Sequence, residues 1–256
     1  MSASPKSTAT ISPEEWAVRT DLAACYRLAS HFRMTDLIHT HISARVPGTR
    51  NEFLINAYGL WFHEVTASNL VKIDIDGNKL DSSEHPVNPA GFIIHAAIHE
   101  ARDDAHCVMH THTRAGVAVS TLECGLLPIS QFALRFHGKV GYHDYEGATL
   151  VPGERERLQQ SMAEHDVLIL RNHGLITLGD SVAEAFDRMY SLNNACQVQV
   201  DALQTGKPLV EPSTAVCELT AGQYAGDGEE DMSRRRDFIW QALLRLVENN
   251  EPSYRS

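Results

Sequence analysis

Long apolar runs are missing from this sequence. No stretch approaches the ~20 residues that a membrane-spanning helix needs, and Met1 to Thr10 contains no apolar segment of signal-peptide type. These two absences lead us to expect a cytoplasmic protein without a membrane partner. Basic charge is also scarce: 22 Lys plus Arg stand against 33 Asp plus Glu, a formal net charge of −11. Such a field repels phosphate backbones and argues against nucleic acid as a partner. The one basic run, Arg234-Arg235-Arg236, follows Glu229-Glu230-Asp231 and reads as a solvated helix face. Cysteine pairing is absent too. Cys25, Cys107, Cys124, Cys196 and Cys217 are odd in number, widely spaced and without a C-x-x-C pair, so they read as reduced, mostly buried thiols. Aromatics are few, at 7%, beside 43% hydrophobic and 21% charged residues. That composition is ordinary for a folded domain, and 256 residues suffice for one well-packed core.

The pattern that is present alternates helices with short strands. Ser12-Pro13-Glu14-Glu15 opens a helix to about Phe32, with a cap at Ser12, proline in the first turn and Glu15 completing a capping box. His39 to Arg45, Phe53 to Ile55 and Val71 to Ile75 read as strands, the last running into the turn Asp76-Gly77-Asn78. Helical spacing returns between Pro89 and Glu100, then Cys107 to His110 reads as a buried strand. A helix is expected around Ala115 to Cys124, a strand around Val140 to Tyr142, and a helix opening at Pro152-Gly153-Glu154. Val167 to Leu170 and Leu175 to Leu178 form two strands around Asn172-His173-Gly174, and Ser181 caps a helix to about Leu203. After Lys207 the composition turns to Gly, Pro and acid before a last amphipathic helix, Phe238 to Val247. Strands mixed with long helices predict a sheet covered by helices, with substantial antiparallel pairing.

The sharpest local feature is Val108-Met109-His110-Thr111-His112. On a strand, residues i and i+2 share a face, so two imidazoles project together from a rigid platform, as metal binding requires. By itself the pair is only moderately specific, because 14 histidines make accidental pairs easy, and His39-x-His41 meets the same test. His173 sits in a turn after an apolar strand with glycine following, a place that suits either a third ligand or an ordinary surface histidine. His95 and His99 imitate a zinc pair at i and i+4, but without the glutamate of H-E-x-x-H they read as helix-packing residues.

Five segments, "IHTHISARVPG", "FLINAYGLWFHEVTASNLVKIDIDGN", "NPAGFIIHAAIHEARDDAHCVMHTHT", "CGLLPISQFALRFHGKVGYHDYEG" and "VLILRNHGLITLGDSVAEAF", resemble the class II aldolase/adducin family in the family's own order, from about Asp21 to Leu203. The resemblance implies an α/β fold: a three-layer α/β/α domain around a largely antiparallel sheet, commonly a homotetramer. It also implies a divalent metal, most often zinc with iron or manganese as alternatives, on three histidines that fall here on His110, His112 and His173. The family's aldolases cleave sugar phosphates, the metal acting as Lewis acid and a glutamate as acid/base. That glutamate lies four residues before the histidine that matches His95, and here the position is Gly91. A second departure is His41, where the aldolases carry asparagine, and Asn56-Ala57-Tyr58-Gly59 is a poor match to their phosphate loop. Both departures, with "LPIS" and "YHDY", bring the chain nearer to the adducin head and its bacterial relatives.

Without the glutamate, acid/base candidates are His41, Tyr142, His143 and Tyr145, although Tyr142 to Glu146 also reads as a solvated loop or subunit contact. Arg45 and Arg171 are candidates for gripping a substrate carboxylate, or ordinary structural partners. The expected organisation is a flexible tail over 1–11, a metal-binding domain over 12–206 and a C-terminal extension over 207–256. The expected activity is a metal-dependent lyase acting by aldol-type cleavage or decarboxylation on a small hydroxylated or keto acid or a sugar-derived substrate. A non-heme iron oxygenase and a non-enzymatic adducin-like binding domain are the alternatives.

Overall fold

Residues 11–147, 153–227 and 231–256 are described by a computed structural model. The tail expected over 1–11 thus lies almost wholly outside the described residues, as does Pro152. The N-terminal apolar stripe forms α1 (Pro13–His31), whose first turn is closed by Ser12 Oγ accepting the Glu15 amide at 3.1 Å. The expected capping box is only half made. The Glu15 carboxylate turns away to Arg19 and Lys72, both at 2.9 Å.

Seven strands form one sheet among the described residues: β1 (His41–Arg45), β2 (Glu52–Ile55), β3 (Val71–Asp74), β4 (Cys107–Thr111), β5 (Val140–His143), β6 (Val167–Leu170) and β7 (Gly174–Gly179). Their order is β3-β2-β1-β4-β7-β6-β5. Pairing is antiparallel except at one edge, where β5 runs parallel to β6. The sheet is therefore mixed rather than wholly antiparallel. The cause is local: α5 (Glu154–Met162) connects β5 to β6 as a crossover, which returns the chain to the starting end.

Strand alternation sends successive side chains to opposite layers. On β4, Cys107 and Met109 join the core under α1 and α6 (Val182–Gln204), and Thr111 Oγ1 reaches Met189 of α6. Val108 instead packs with Ala97 and Ile98 of α2 (Pro89–Ala101) and with Leu158 and Met162 of α5. His110 shares the Val108 face and so emerges on the side of α2 and α5. Helices accordingly cover both faces, α1, α3 (Arg114–Ser120) and α6 on one, α2 and α5 on the other.

Short α4 (Gln131–Leu134) was not legible in the sequence, and the region after Lys207 holds two helices rather than one, α7 (Thr214–Ala225) and α8 (Met232–Asn250). Trp240, Val247 and Tyr254 enter the main core, Arg27 pairs with Glu251 at 2.7 Å, and the Ala67 amide donates to the Tyr254 carbonyl at 2.9 Å. The C-terminal extension is thus part of the packed body. No helix among the described residues is long and apolar enough to cross a membrane.

Candidate metal centre

Two strands and one turn bring His110, His112 and His173 together. His110 and His112 leave the end of β4 on one face, and β7 pairs with β4 so that Leu175 lies opposite Thr111, which brings the preceding turn over the strand end. In that turn Asn172 takes a left-handed backbone, φ 57°, which asparagine tolerates, and the His173 amide returns to the Leu170 carbonyl at 3.1 Å. Gly174 is required by closeness. A Cβ there would overlap the Thr111 carbonyl and lie 3.1 Å from His112 Cδ2. We expect Gly174→Ala to lower thermal stability and loosen metal binding together, measured by melting with and without added zinc; full retention of both would refute this account of the turn.

His112 Nε2 lies 2.9 Å from both His110 Nε2 and His173 Nε2, and the ligand atoms of the three lie within 4.8 Å of one another. The remote nitrogens decide what those atoms carry. His110 Nδ1 donates to the Leu175 carbonyl at 3.0 Å, and His112 Nδ1 faces the Asp36 carboxylate at 2.9 Å. Both partners are pure acceptors, so in the neutral imidazoles each Nδ1 holds the proton and each Nε2 a lone pair. Two lone pairs at 2.9 Å repel unless a cation lies between them. The donor set therefore fits a divalent metal, with the remote hydrogen bonds orienting the rings. Burial, then the nearby His41, His112 and His173, holds His110 well below the usual histidine pKa, and burial followed by His112 lowers His173 to about 4. Neutral imidazole is the ligating form.

Asp36, the partner of His112 Nδ1, is a residue of this site that the sequence did not reveal. It lies in the irregular link between α1 and β1, where no spacing rule applies. Thr40, in the same link, has φ 66°, a strained backbone for a β-branched residue that costs of order 1–3 kcal/mol, and its buried hydroxyl has no hydrogen-bond partner among the described residues. Both features sit at the rim of a cavity of about 460 Å³ that the three histidines also line.

His41 lies opposite His110 on the neighbouring strand, ring centroids 5.1 Å apart, and enters this cavity. Gly91 of α2 faces it. A Cβ at Gly91 would stand 2.5 Å from His41 Nε2 and 2.9 Å from its Cγ, so the imidazole occupies the space that any side chain at 91 would need. His39 adds no fourth ligand to the cluster. His95 and His99 are buried, and they form a polar chain with Ser43 behind His41 rather than a metal pair.

Across the cavity, His143 on β5 is buried. Its Nδ1 meets Ser161 Oγ at 3.0 Å, and because that hydroxyl donates to the Arg157 carbonyl, it accepts from the imidazole. His143 Nε2 is then directed elsewhere, 3.8 Å from Glu146 Oε1 and with no hydrogen bond within the described residues. The expectation for Tyr142 is corrected. Alternation on β5 puts it on the opposite face from His143, its hydroxyl accepts the Leu126 amide at 3.0 Å, and Arg171 covers its ring at 4.3 Å. Tyr145, not Tyr142, reaches the cavity, its ring centroid 6.3 Å from His173. Arg45 is likewise structural: it donates to the carbonyls of Arg50, His99 and Arg102. Arg171 does line the cavity.

Residues 20–200 match the family model described as class II aldolase and adducin N-terminal domain. The chain belongs to this family. Among relatives, a candidate aldolase class 2 protein of Pseudomonas aeruginosa is 47% identical over 247 residues, spanning 96% of this chain and 95% of that protein. Rat α-adducin is 42% identical over 246 residues, 92% of this chain but 33% of the adducin. Among solved structures, an aldolase II superfamily protein of Pseudomonas syringae superposes with a TM-score of 0.89 at 48% identity, covering 96% and 98% of the two chains. An L-fuculose 1-phosphate aldolase of Glaciozyma antarctica superposes at 0.82 with 25% identity, covering 99% and 97%. In this member of the family, position 91 has no room for a side chain because the His41 imidazole fills that space.

Proposed function

We propose that this family member is a metal-dependent lyase that breaks a C–C bond in a small hydroxylated acid or sugar-derived molecule lacking a phosphate. The facing lone pairs of His110 and His112 are the observation that carries the metal. Zinc is the proposed ion, iron or manganese the alternatives that the same imidazoles accept. When bound, the metal supplies Lewis acidity to substrate oxygens. His41 and His143 are the proposed acid/base candidates: the bare Nε2 of one takes the proton of the hydroxyl whose oxygen becomes the product carbonyl and then returns that same proton to the carbon released. Tyr145 closes the pocket around the substrate. A homotetramer in the cytoplasm is the proposed setting.

Charge supports the absence of phosphate. Asp144, Glu146 and Glu154 line the cavity, Glu146 paired with Arg157, while the one basic residue of the lining, Arg171, turns its guanidinium to the Tyr142 ring and the Leu122 carbonyl. Asn56 is used elsewhere, its Oδ1 accepting the buried Tyr26 hydroxyl at 2.8 Å beneath α1. The test is a panel of hydroxy acids and free ketoses beside their phosphate esters, on protein stripped by chelator and reloaded. We expect cleavage only after reloading, and free compounds turning over faster than esters. Preference for an ester such as the L-fuculose 1-phosphate named for the Glaciozyma enzyme would sink the substrate assignment. The 42% identity to α-adducin favours a second reading, a binding domain without chemistry. Tight metal with no turnover across the panel would support that reading, and bound iron with oxygen uptake an oxygenase.

A further inference from the structure

Behind the cavity, four side chains form an unbroken line of hydrogen bonds that ends on a backbone carbonyl. His41 Nδ1 lies 2.7 Å from His95 Nε2, His95 Nδ1 2.5 Å from Ser43 Oγ, Ser43 Oγ 2.7 Å from His99 Nε2, and His99 Nδ1 2.8 Å from the Ala105 carbonyl. His41, Ser43, His95 and His99 are each no more than 5% exposed. Three strand-and-helix facts build the line: His41 and Ser43 are i and i+2 on β1, His95 and His99 are i and i+4 on α2, and the Phe53 ring stacks on His99 at 4.2 Å.

The direction of every proton in this line follows from its last atom. A carbonyl only accepts, so His99 carries its proton on Nδ1 and a lone pair on Nε2. Ser43 must then donate to His99 Nε2. Having one hydrogen, Ser43 Oγ must accept from His95 Nδ1, which leaves a lone pair on His95 Nε2. That lone pair in turn requires a proton on His41 Nδ1. His41 Nε2 is left without one, at the edge of the ring that faces Gly91 and the cavity. Reversing any single link sets two lone pairs or two protons against each other in a buried site. Burial also keeps the imidazoles neutral: it is the largest cause lowering His99 to about 3 and holding His41 and His95 well below their ordinary value.

We propose that His99, Ser43 and His95 are positioning residues that fix His41 as the Nδ1–H tautomer, so that its Nε2 meets the ligand only as a hydrogen-bond acceptor. The pocket then selects a molecule that offers a hydroxyl hydrogen at that point, and discriminates against a keto, ether or phosphate oxygen there. This rests on reading the cavity as the substrate site; the tautomer itself does not depend on turnover.

Zinc-loaded full-length protein with ¹⁵N-labelled histidine, observed by two-bond ¹H–¹⁵N correlation, distinguishes protonated from bare ring nitrogens. His41 signals are assigned by their loss in His41→Asn. We expect His41 and His99 to show Nδ1 protonated and Nε2 bare. In Ser43→Ala and in His99→Phe, which keeps a ring against Phe53, we expect His41 to become a mixture of tautomers while zinc content stays at the wild-type level. A protonated Nε2 on His41 in the wild-type protein would overturn the proposal, whatever the variants do. So would an unmixed Nδ1–H tautomer persisting in both variants. Failure of the lyase assignment would leave this spectrum unchanged, so the two readings fall separately.

Discussion

Replacing His110 and His112 together by alanine is expected to reduce metal from about one ion per chain to background, measured by elemental analysis of purified protein. Three imidazoles are the minimum that leaves an open position while holding a catalytic ion, and the double change leaves one of them. Added zinc should raise the melting temperature of the wild-type protein, since a ligand present at ~100 times its Kd stabilises the folded state by about 2.7 kcal/mol, and should leave the variant unmoved. Asp36→Ala isolates the orienting role of the remote hydrogen bond at 2.9 Å. Its cost should be smaller, roughly 10–100-fold in affinity. Metal content and zinc response both unchanged in the double variant would remove the site.

Gly91→Glu should fail to install aldolase chemistry and should destabilise the fold. The new Cβ would stand 2.5 Å from His41 Nε2, the far end of a side chain held between β1 and α2, so the imidazole has to move. Overpacking of this kind costs typically about 1–3 kcal/mol, and each kcal/mol lowers the melting temperature of a chain this size by about 2–4 °C. The same substitution in a His41→Asn background should cost less, because the obstructing ring is gone. The coupling between the two positions, read from a denaturant double-mutant cycle, is expected in the range of about 0.5–3 kcal/mol that contacting residues display. Strict additivity would show that His41 does not fill the glutamate's place.

Period alone offered His110 and His112 as a candidate pair, and the set of three came from the family resemblance. Alternation on β4 gave His110 and His112 one face, and a glycine after His173 marked a turn that closes on a strand end. What the sequence concealed has physical reasons. Asp36 and Thr40 act from an irregular link whose left-handed backbones at Arg33, Leu37 and Thr40 follow no repeating pattern. Tyr142 and His143 are neighbours in the chain, yet a strand places neighbours on opposite faces, so a dense polar cluster was half misassigned. His95 and His99 read in the sequence as helix-packing residues, while their connection to His41 depends on Ser43, which a list of histidines omits. Helix α7 escaped because its stripe is weak: it buries Cys217 and Ala221 while Val216 and Leu219 stay exposed. At the sheet's edge, the parallel pair required knowing that α5 crosses over, which hairpin signals cannot convey.

The pairing of His41 with His110 has one more consequence. Because side chains alternate, a slip of β1 by a single residue would turn Ile42 and Ala44 toward α2 and carry His41 and Ser43 into the layer beneath α1. One misalignment would dismantle the acceptor line and uncouple it from the metal ligands at a stroke. A chain with β1 out of register would keep its three clustered histidines on β4 and the β6–β7 turn and lose the His41 line beside them, so the acceptor and the histidine cluster share one pocket only in the correctly assembled sheet.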